Sequence, residues 1–321
     1  MSRKRGGLFL LTLSLTILFL ASAYGPVMAA SENRVLDFRL TGTITSAHAD
    51  AFEDALAVAA SGNYSAVVIE ISTPGGSVDA MLRIIAAIDS SPIPVLLLVA
   101  PAGSSAWSAG TYILMAAHVS AMAPNTVIGS CQPISYSPLG SSAINDSKTI
   151  NALVEVMATH AQARGRNQSL ATSFVIENTN VDDGEALLYG VIDYRANSLT
   201  SFLEQADGKQ VALSSGTVAL NTKDAAVTEY GYRLREILLN SIADPLVSSL
   251  LFMIGIFALI FGFSAPGHGG EVLGALAILM ALIGMGFSVN AISFIMVISG
   301  AILLIYELAT PGFGLFGISG I

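Results

Sequence analysis

Short apolar runs alternate with amphipathic helical stretches along the first two thirds of the chain. Residues 67–71 and 95–100 are rich in β-branched residues or leucine and are bounded by Pro and Gly, which predicts buried parallel strands. Residues 79–90 carry apolar side chains at helical spacing, and Pro92 and Pro94 end that helix before the second strand. The repeated order of strand, helix and strand predicts an α/β domain with a parallel sheet.

The same rhythm continues towards the middle of the chain. The pattern predicts helices at residues 107–117 and 151–164 and a short closing strand at residues 190–193. Alternation around Ser214-Ser215-Gly216 predicts a hairpin at residues 210–220. We therefore assign the α/β domain to residues 30–208 and a hairpin with a linker to residues 209–244.

The last part of the chain is almost continuously apolar. Residues 246–263, 273–289 and 291–308 form three apolar stretches, each close to the roughly 20 residues that cross a bilayer. Charged residues make up 12% of the chain, about half of the roughly 25% found in soluble domains. We expect an all-α transmembrane domain of about three spans at residues 245–321, with the lipid bilayer as a partner.

The first 29 residues have the parts of a secretory leader. A basic start, Ser2-Arg3-Lys4-Arg5, precedes an apolar stretch at residues 8–23 and small residues at 29–30. The segment is either a signal peptide or an uncleaved N-terminal anchor. Both leave the basic end in the cytoplasm, so we expect a multi-pass protein of the cell membrane whose α/β domain is extracytoplasmic.

Charge and cysteine content exclude several classes of function. The formal net charge is −9, and the clustered Lys and Arg that nucleic-acid binding needs are missing. Cys131 is the single cysteine, so no disulfide can form within the chain. No motif implies a metal or an organic cofactor.

Two turns after predicted strands carry the candidate chemistry. Gly75 and Gly76 follow the first strand, and glycine lets backbone N–H groups approach a ligand closely enough to hold an oxyanion. Ser108 follows the second strand among small residues, at the start of the predicted helix, where its hydroxyl is accessible near the positive helix end. Alone, such a serine is an ordinary packing contact; together with the glycine turn it predicts a nucleophile.

Three stretches carry a family resemblance: Thr73-Pro74-Gly75-Gly76, Ala106-Trp107-Ser108-Ala109-Gly110-Thr111-Tyr112, and residues 123–133. They resemble the Clp-type serine peptidase clan, and within it the membrane-bound signal peptide peptidase A and nodulation-efficiency D (NfeD) proteins. Trp107 departs from the pattern, which has two small residues before the serine. Residues 306–317 are similar to the NfeD membrane motif, after which that family continues with more hydrophobic sequence, so the chain is a short form or a fragment.

The resemblance also bears on the catalytic base. Cys131 stands where soluble Clp peptidases carry their catalytic histidine, and none of the four histidines occupies that position: His48, His118, His160 and His268. NfeD relatives instead use a lysine in a flexible stretch after the Cys-x-Pro segment, which here matches residues 141–151 and Lys148. A lysine accepts a proton near neutral pH only where apolar surroundings destabilise its charged form.

A lysine count supports Lys148 independently of the resemblance. The chain has four lysines, and only Lys148 lies inside the predicted α/β domain; the others are Lys4, Lys209 and Lys223.

The resemblance implies a Clp/crotonase-like fold and a membrane-anchored serine endopeptidase with Ser108 and Lys148 as its dyad. Backbone N–H groups of Gly75 or Gly76 and of Ala109 would form the oxyanion hole. By the same resemblance, substrates are apolar segments of membrane proteins, a stomatin- or prohibitin-like protein is the companion, and the domain forms dimers or larger homo-oligomers.

Two other functions remain open from the sequence. Trp107 and the polar surroundings of Lys148 also suit a catalytically silent scaffold that binds apolar peptide tails in the membrane. A crotonase-type acyl-CoA enzyme, the weaker alternative, would share the fold and the oxyanion turn without needing a serine paired with a lysine.

Overall fold

A computed structural model describes residues 33–137, 140–264, 269–285 and 299–300 of the chain. The predicted leader at 1–29, the motif at 306–317 and all but residues 299–300 of the third predicted span at 291–308 lie outside these residues. The described elements, in chain order, are β1 (Arg34–Thr41), α1 (Ser46–Ser61), β2 (Ala66–Ser72), α2 (Val78–Asp89), β3 (Val95–Val99), β4 (Ser105–Trp107), α3 (Ala109–Ala116), β5 (Val119–Met122), β6 (Val127–Gly129), β7 (Ile134–Ser137), β8 (Gly140–Ala143), α4 (Ser147–Ala163), α5 (Gln168–Ile176), β9 (Asn180–Asp182), α6 (Asp183–Leu188), β10 (Tyr194–Arg195), α7 (Leu199–Ala206), β11 (Gln210–Leu213), β12 (Gly216–Ala219), β13 (Ala226–Glu229), α8 (Leu234–Ala243), α9 (Pro245–Ser264) and α10 (Gly270–Gly284).

The main sheet has six strands in the order β10-β5-β3-β2-β1-β13, and every neighbouring pair is parallel. Successive residues along its strands point to opposite faces and pack into two apolar layers, one on each face of the sheet. Val67, Ile69 and Ile71 join the larger core cluster, whereas Val68 joins a smaller one on the other face with Phe202 of α7. Because both faces are covered, the strands read as continuous apolar runs rather than as alternating ones. The predicted α/β class with a parallel sheet, followed by an apolar helical region, is confirmed.

The C-terminal end of α3 is fixed by two arginines. Arg166 donates to the carbonyls of Leu114 (2.6 Å), Met115 (2.9 Å) and Ala117 (3.0 Å), and it also pairs with Asp193 at 3.2 Å. These carbonyls have no partner within their own helix, so a buried guanidinium satisfies them at once. Arg164 adds a bond of 2.8 Å to the carbonyl of Ala116. The helix that follows Ser108 is therefore held firmly at its far end.

The apolar helices α9 and α10 pack together through small residues. A Cβ added to Gly255 would lie 2.6 Å from Ile278, and one added to Gly274 would lie 2.7 Å from the carbonyl of Gly255. Small residues let membrane helices approach this closely. Among the described residues, only Leu246–Ser264 is long and apolar enough to cross a membrane, with a mean hydropathy of 2.5. The first predicted span thus matches α9, while the number of crossings stays a prediction.

Four local predictions differ from the structure. The helix expected at 107–117 begins only at Ala109, because Ser105–Trp107 is a strand paired with β6. The helix expected at 151–164 begins at Ser147, where Asp146 accepts a hydrogen bond of 2.9 Å from the N–H of Thr149. The closing strand expected at 190–193 lies at Tyr194–Arg195. The linker adds β13 to the sheet edge beside β1, which the sequence pattern did not predict.

Arg166 offers a test of this packing. We expect Arg166→Met to lower the free energy of unfolding by about 3 kcal/mol or more, because it leaves three buried carbonyls at the end of α3 without their donor. Asp193 keeps its ion pair with Lys209. In Arg83→Met, which removes a partly exposed pair with Asp50 and Glu53, the change should stay within about 1 kcal/mol. Unfolding of the detergent-solubilised chain, followed by circular dichroism, measures both; equal losses would contradict the role given to Arg166.

A second prediction concerns pH. The Nε2 atom of His160 on α4 lies 2.9 Å from a carboxylate oxygen of Asp89 at the end of α2, and this hydrogen bond raises the pKa of His160. The stabilisation is complete below the ordinary histidine value of 6.5 and is lost as pH rises through the raised value of the folded state. His160→Gln should therefore lower the melting temperature more at about pH 5.5 than at about pH 9. The difference should vanish in an Asp89→Asn background; if it persists there, Asp89 is not its cause.

Candidate active site

Ser108 lies at the sharp turn between β4 and α3. Its backbone has φ 51° and ψ −119°, a left-handed conformation that residues other than glycine rarely adopt. The Ser108 N–H donates to the carbonyl of Gly129 at 2.8 Å, and its own carbonyl accepts from the N–H of Thr111 at 2.9 Å. A serine on a strained strand-to-helix turn presents its Oγ atom outward, as in a nucleophile elbow. The Ser108 side chain is only partly buried.

The turn after β2 approaches this serine closely. Gly75 has φ +113°, and a Cβ added to it would lie 2.8 Å from Cβ and 3.2 Å from Oγ of Ser108. Any side chain at Gly75 would therefore collide with Ser108, and its backbone conformation also favours glycine. The structure thus brings Gly75 and Ser108 together, as the sequence predicted.

The backbone N–H groups near Ser108 differ in whether they already donate a hydrogen bond within the protein. The N–H of Gly75 donates to Oγ1 of Thr73 at 3.0 Å. The N–H of Gly76, in contrast, has no acceptor among the described residues, and neither does that of Ala109, the first residue of α3. Two backbone donors beside the serine are therefore free.

The Gly75-Gly76 turn is held from the opposite side by the loop between β1 and α1. The N–H of Ile44 donates to the carbonyl of Gly75 at 2.8 Å, and the carbonyl of Ile44 accepts from the N–H of Ser77 at 2.9 Å. A Cβ on Gly76 would overlap the Ile44 backbone. The turn therefore has no freedom to move away from Ser108 on this side.

Sequence analysis missed three residues that shape the site. Ile44 anchors the turn, and the Thr73 hydroxyl both accepts from the N–H of Gly75 and lies 3.1 Å from its carbonyl as a donor. Thr111 donates to the carbonyl of Ala106 at 2.7 Å and accepts from the N–H of Gly129 at 2.9 Å. A threonine hydroxyl often binds the backbone two residues further along in a turn, so the position of Thr73 before Gly75 is a sequence signal for this role. No sequence signal identifies Ile44, because its partners Gly75 and Ser77 are distant in the chain.

Cys131 lies beneath Ser108 and is not a candidate nucleophile. Its Sγ atom is 3.4 Å from the carbonyl of Gly129 and 3.7 Å from that of Ser108, and the residue is buried. Burial raises the pKa of this thiol to about 12, so it stays protonated and is a poor nucleophile. Cys131 therefore has a packing role.

The described histidines have structural partners away from Ser108. The Nδ1 atom of His118 accepts from the N–H of Val95 at 3.1 Å, and burial lowers the pKa of His118 to about 4. Burial lowers the pKa of His48 to about 4 as well, at the start of α1. His160 pairs with Asp89. His268 lies outside the described residues. None of the described histidines is hydrogen-bonded to Ser108.

Lys148 lies in the first turn of α4, and its side chain is exposed. This turn is helical rather than part of the flexible stretch that the family resemblance implied. No hydrogen bond joins Lys148 to Ser108, and Lys148 makes no ion pair with any described residue. The hairpin β7–β8 leads into α4, and a bond of 2.9 Å from the N–H of Ile144 to the carbonyl of Pro133 closes its base. The structure therefore assembles the serine and the glycine turn but not the predicted pair.

Two apolar side chains in this part of the chain are exposed. Trp107, immediately before Ser108, is 41% exposed, and Ile134 at the start of β7 is 46% exposed. Two clefts, of about 350 and 430 Å³, lie elsewhere and are not lined by Ser108. Within the described residues, no group of three or more His, Cys, Asp or Glu side chains could hold a metal ion.

Comparison with known families matches both parts of the chain. The NfeD1b N-terminal domain matches residues 39–230, and the NfeD integral membrane domain matches residues 246–321. The first match covers the whole main sheet except β1's first residues, and it includes Ser108 and Lys148.

Individual proteins of similar sequence and structure agree with these family matches. Membrane-bound protease PH1510 of Pyrococcus horikoshii is 38% identical over 312 residues, which cover 96% of this chain and 70% of the relative. A lysine-to-alanine mutant of the 1510-N membrane-bound stomatin-specific protease, solved in complex with a substrate peptide, has a TM-score of 0.62 at 36% identity and covers 65% of this chain and 97% of its own. A serine-to-alanine mutant of that protease has a TM-score of 0.60 at 36% identity and covers 63% and 100%.

These matches confirm the resemblance that the sequence motifs suggested, and they extend it over the membrane region as well as the α/β domain. The chain belongs to the NfeD1b family of membrane-bound proteases.

Proposed function

We propose that the chain is a membrane-anchored serine endopeptidase in which Ser108 is the nucleophile and Lys148 the general base. The observation that carries this proposal is the strained turn at Ser108, which holds a partly exposed hydroxyl beside two free backbone donors. Strain of this kind costs roughly 1–3 kcal/mol and persists at functional sites, where the surrounding structure maintains it.

The N–H groups of Gly76 and Ala109 form the proposed oxyanion hole. Gly75 has a different part, because its N–H is already bound to Thr73 and its missing side chain leaves space for the Ser108 hydroxyl. Donors that are fixed before the reaction stabilise the developing negative charge without reorganisation. The first residue of a helix adds the positive end of the helix dipole.

Two observations support the assignment of Lys148. It follows the segment that begins at Cys131, and a relative of known structure was solved as a lysine-to-alanine mutant with substrate peptide. Lys148 is exposed in the free chain. An apolar substrate that covers it would remove water from the amine and favour its neutral form.

The proposed reaction has two steps. Ser108 Oγ attacks the scissile carbonyl carbon while its proton passes to Lys148 Nζ, and the tetrahedral intermediate collapses as Lys148 returns that proton to the leaving amine. Water then attacks the acyl ester, giving one proton to Lys148, and Ser108 regains a proton as the carboxylic acid leaves. Lys148 and Ser108 thereby return to their starting protonation states.

The substrate class that we propose is an apolar segment of a stomatin-like membrane protein. Relatives are described as stomatin-specific, and Trp107, immediately before Ser108, presents an exposed apolar side chain. The leader predicts an extracytoplasmic protease domain, and the apolar stretches predict a multi-pass anchor. We also propose that the protein forms homo-oligomers, as the family resemblance implies.

The first test uses the two proposed catalytic residues. Ser108→Ala should abolish labelling of the full chain by a fluorophosphonate probe and lower cleavage of an apolar stomatin-type peptide by about 1,000-fold or more. Lys148→Ala should lower both by about 100-fold or more, because the hydroxyl then lacks its base. Lys223→Ala is the matched control and should behave as wild type.

Three results would contradict the proposal. An unlabelled wild type favours the silent scaffold. Equal activity of Lys148→Ala and Lys223→Ala excludes the dyad. Turnover of an acyl-CoA thioester that Lys148→Ala leaves unchanged favours the crotonase-type enzyme.

A second test addresses the shape of the oxyanion turn. Thr73→Val removes the hydroxyl that binds the N–H and carbonyl of Gly75 and keeps the side-chain shape, so we expect kcat to fall about 10- to 100-fold with a smaller change in KM. Thr73→Ser keeps the hydroxyl and should retain most of the activity. If Thr73→Ser loses as much kcat as Thr73→Val, the methyl contact rather than the hydrogen bonds sets the turn.

A further inference from the structure

Helix α8, between the protease domain and the first apolar helix, exposes a continuous apolar face. Leu234 is 72% exposed, Ile237 49% and Leu238 57%. Positions i, i+3 and i+4 share one side of a helix, so these three side chains form a single strip. We call it the α8 strip. Large apolar side chains grouped in this way mark a surface that is covered in the working protein.

One flank of α8, beside Ile237, is bound to the protease domain. The Thr45 hydroxyl is hydrogen-bonded to the Asn240 side chain, and Glu236 is buried and accepts from the N–H of Arg233 at 2.8 Å. Arg233 also pairs with Asp54 of α1 at 2.7 Å. These contacts fix the rotation of α8 about its axis. The α8 strip therefore cannot turn inwards to cover itself.

The position of α8 is set by the membrane region. Only Asp244 separates its last residue from α9, and Asp244 accepts from the N–H of Leu246 at 2.9 Å and of Val247 at 3.2 Å. Gly284 at the end of α10 packs directly against the carbonyl of Ile242. The end of α8, the start of α9 and the end of α10 thus meet at one level, which is the end of the helix that can span a bilayer.

Distance then limits what can cover the strip. A ten-residue helix is about 15 Å long, so the whole α8 strip lies within about one helix length of the start of α9. The family match for the integral membrane domain begins at residue 246, three residues after α8 ends. The strip therefore lies within this distance of the bilayer that α9 can cross.

We propose that α8 is an interfacial helix whose apolar strip is buried in the lipid surface around the first span. Leu234, Ile237 and Leu238 enter the boundary between headgroups and acyl chains, while the bonded side of α8 carries the protease domain. In this position the exposed Arg235, next to the strip in sequence, would bring its guanidinium to the level of the lipid phosphates. This contact would set the protease domain at a fixed height and orientation above the membrane.

The test places a fluorescent label on the strip. The full chain with Cys131→Ala and Leu238→Cys carries a nitrobenzoxadiazole label in phosphatidylcholine nanodiscs, with or without lipid that bears a doxyl quencher at acyl carbon 5 or 12. The matched control is Leu188→Cys, another exposed leucine (76%), on α6 of the protease domain. We expect the carbon-5 quencher to act at Leu238 at least about threefold more strongly than at Leu188, and more strongly than the carbon-12 quencher, because interfacial helices enter only about 5–10 Å.

Two results would overturn the proposal. Quenching at Leu238 no stronger than at Leu188 shows that lipid does not cover the strip. Efficient disulfide cross-linking between two unlabelled Leu238→Cys chains, together with weak quenching, shows that a second copy covers it instead. Leu238 is exposed, so its replacement leaves the packing of the protease domain unchanged, and circular dichroism of both variants checks this.

Discussion

The backbone of Ser108 is held at φ 51° by hydrogen bonds on both of its sides, to Gly129 and from Thr111. Most other features of the protease domain follow from this constraint. The two strands β4 and β6 bring Gly129 to the N–H of Ser108, and buried arginines hold the far end of the helix that follows it. The approach of Gly75 is then possible only because that position has no side chain. The fold thus maintains a conformation that a serine would not adopt by itself.

Gly76 is as constrained as Gly75, because each glycine packs against a different neighbouring segment. Gly75 is limited by Ser108 in front of it, and Gly76 is limited by the backbone of Ile44 behind it. The loop after β1 therefore supports the turn after β2. Because Thr45 in this same loop also contacts α8, the membrane-proximal helix and the oxyanion turn share one short support.

Much of this arrangement could be predicted from local sequence. Buried strands in a two-sided sheet are continuous apolar runs, and glycine after such a strand indicates a tight turn, so β2, β3, Gly75 and Ser108 were identified. The start of α3 was predicted wrongly because the three-residue strand β4 is too short to show an alternating pattern; its conformation comes from pairing with β6. The strand β13 was missed for the same reason, since it is defined by β1, almost 200 residues away. Lys148 was placed in an irregular stretch because the capping role of Asp146 was not recognised.

Trp107 is the single tryptophan of the chain, and it directly precedes Ser108 with its ring partly open to solvent. All indole emission from the protein therefore originates at one location, beside the proposed nucleophile. An apolar substrate bound over Ser108 would displace water from the ring, which shifts the emission to shorter wavelength. The natural chain thus contains its own optical reporter of occupancy, readable without any added dye.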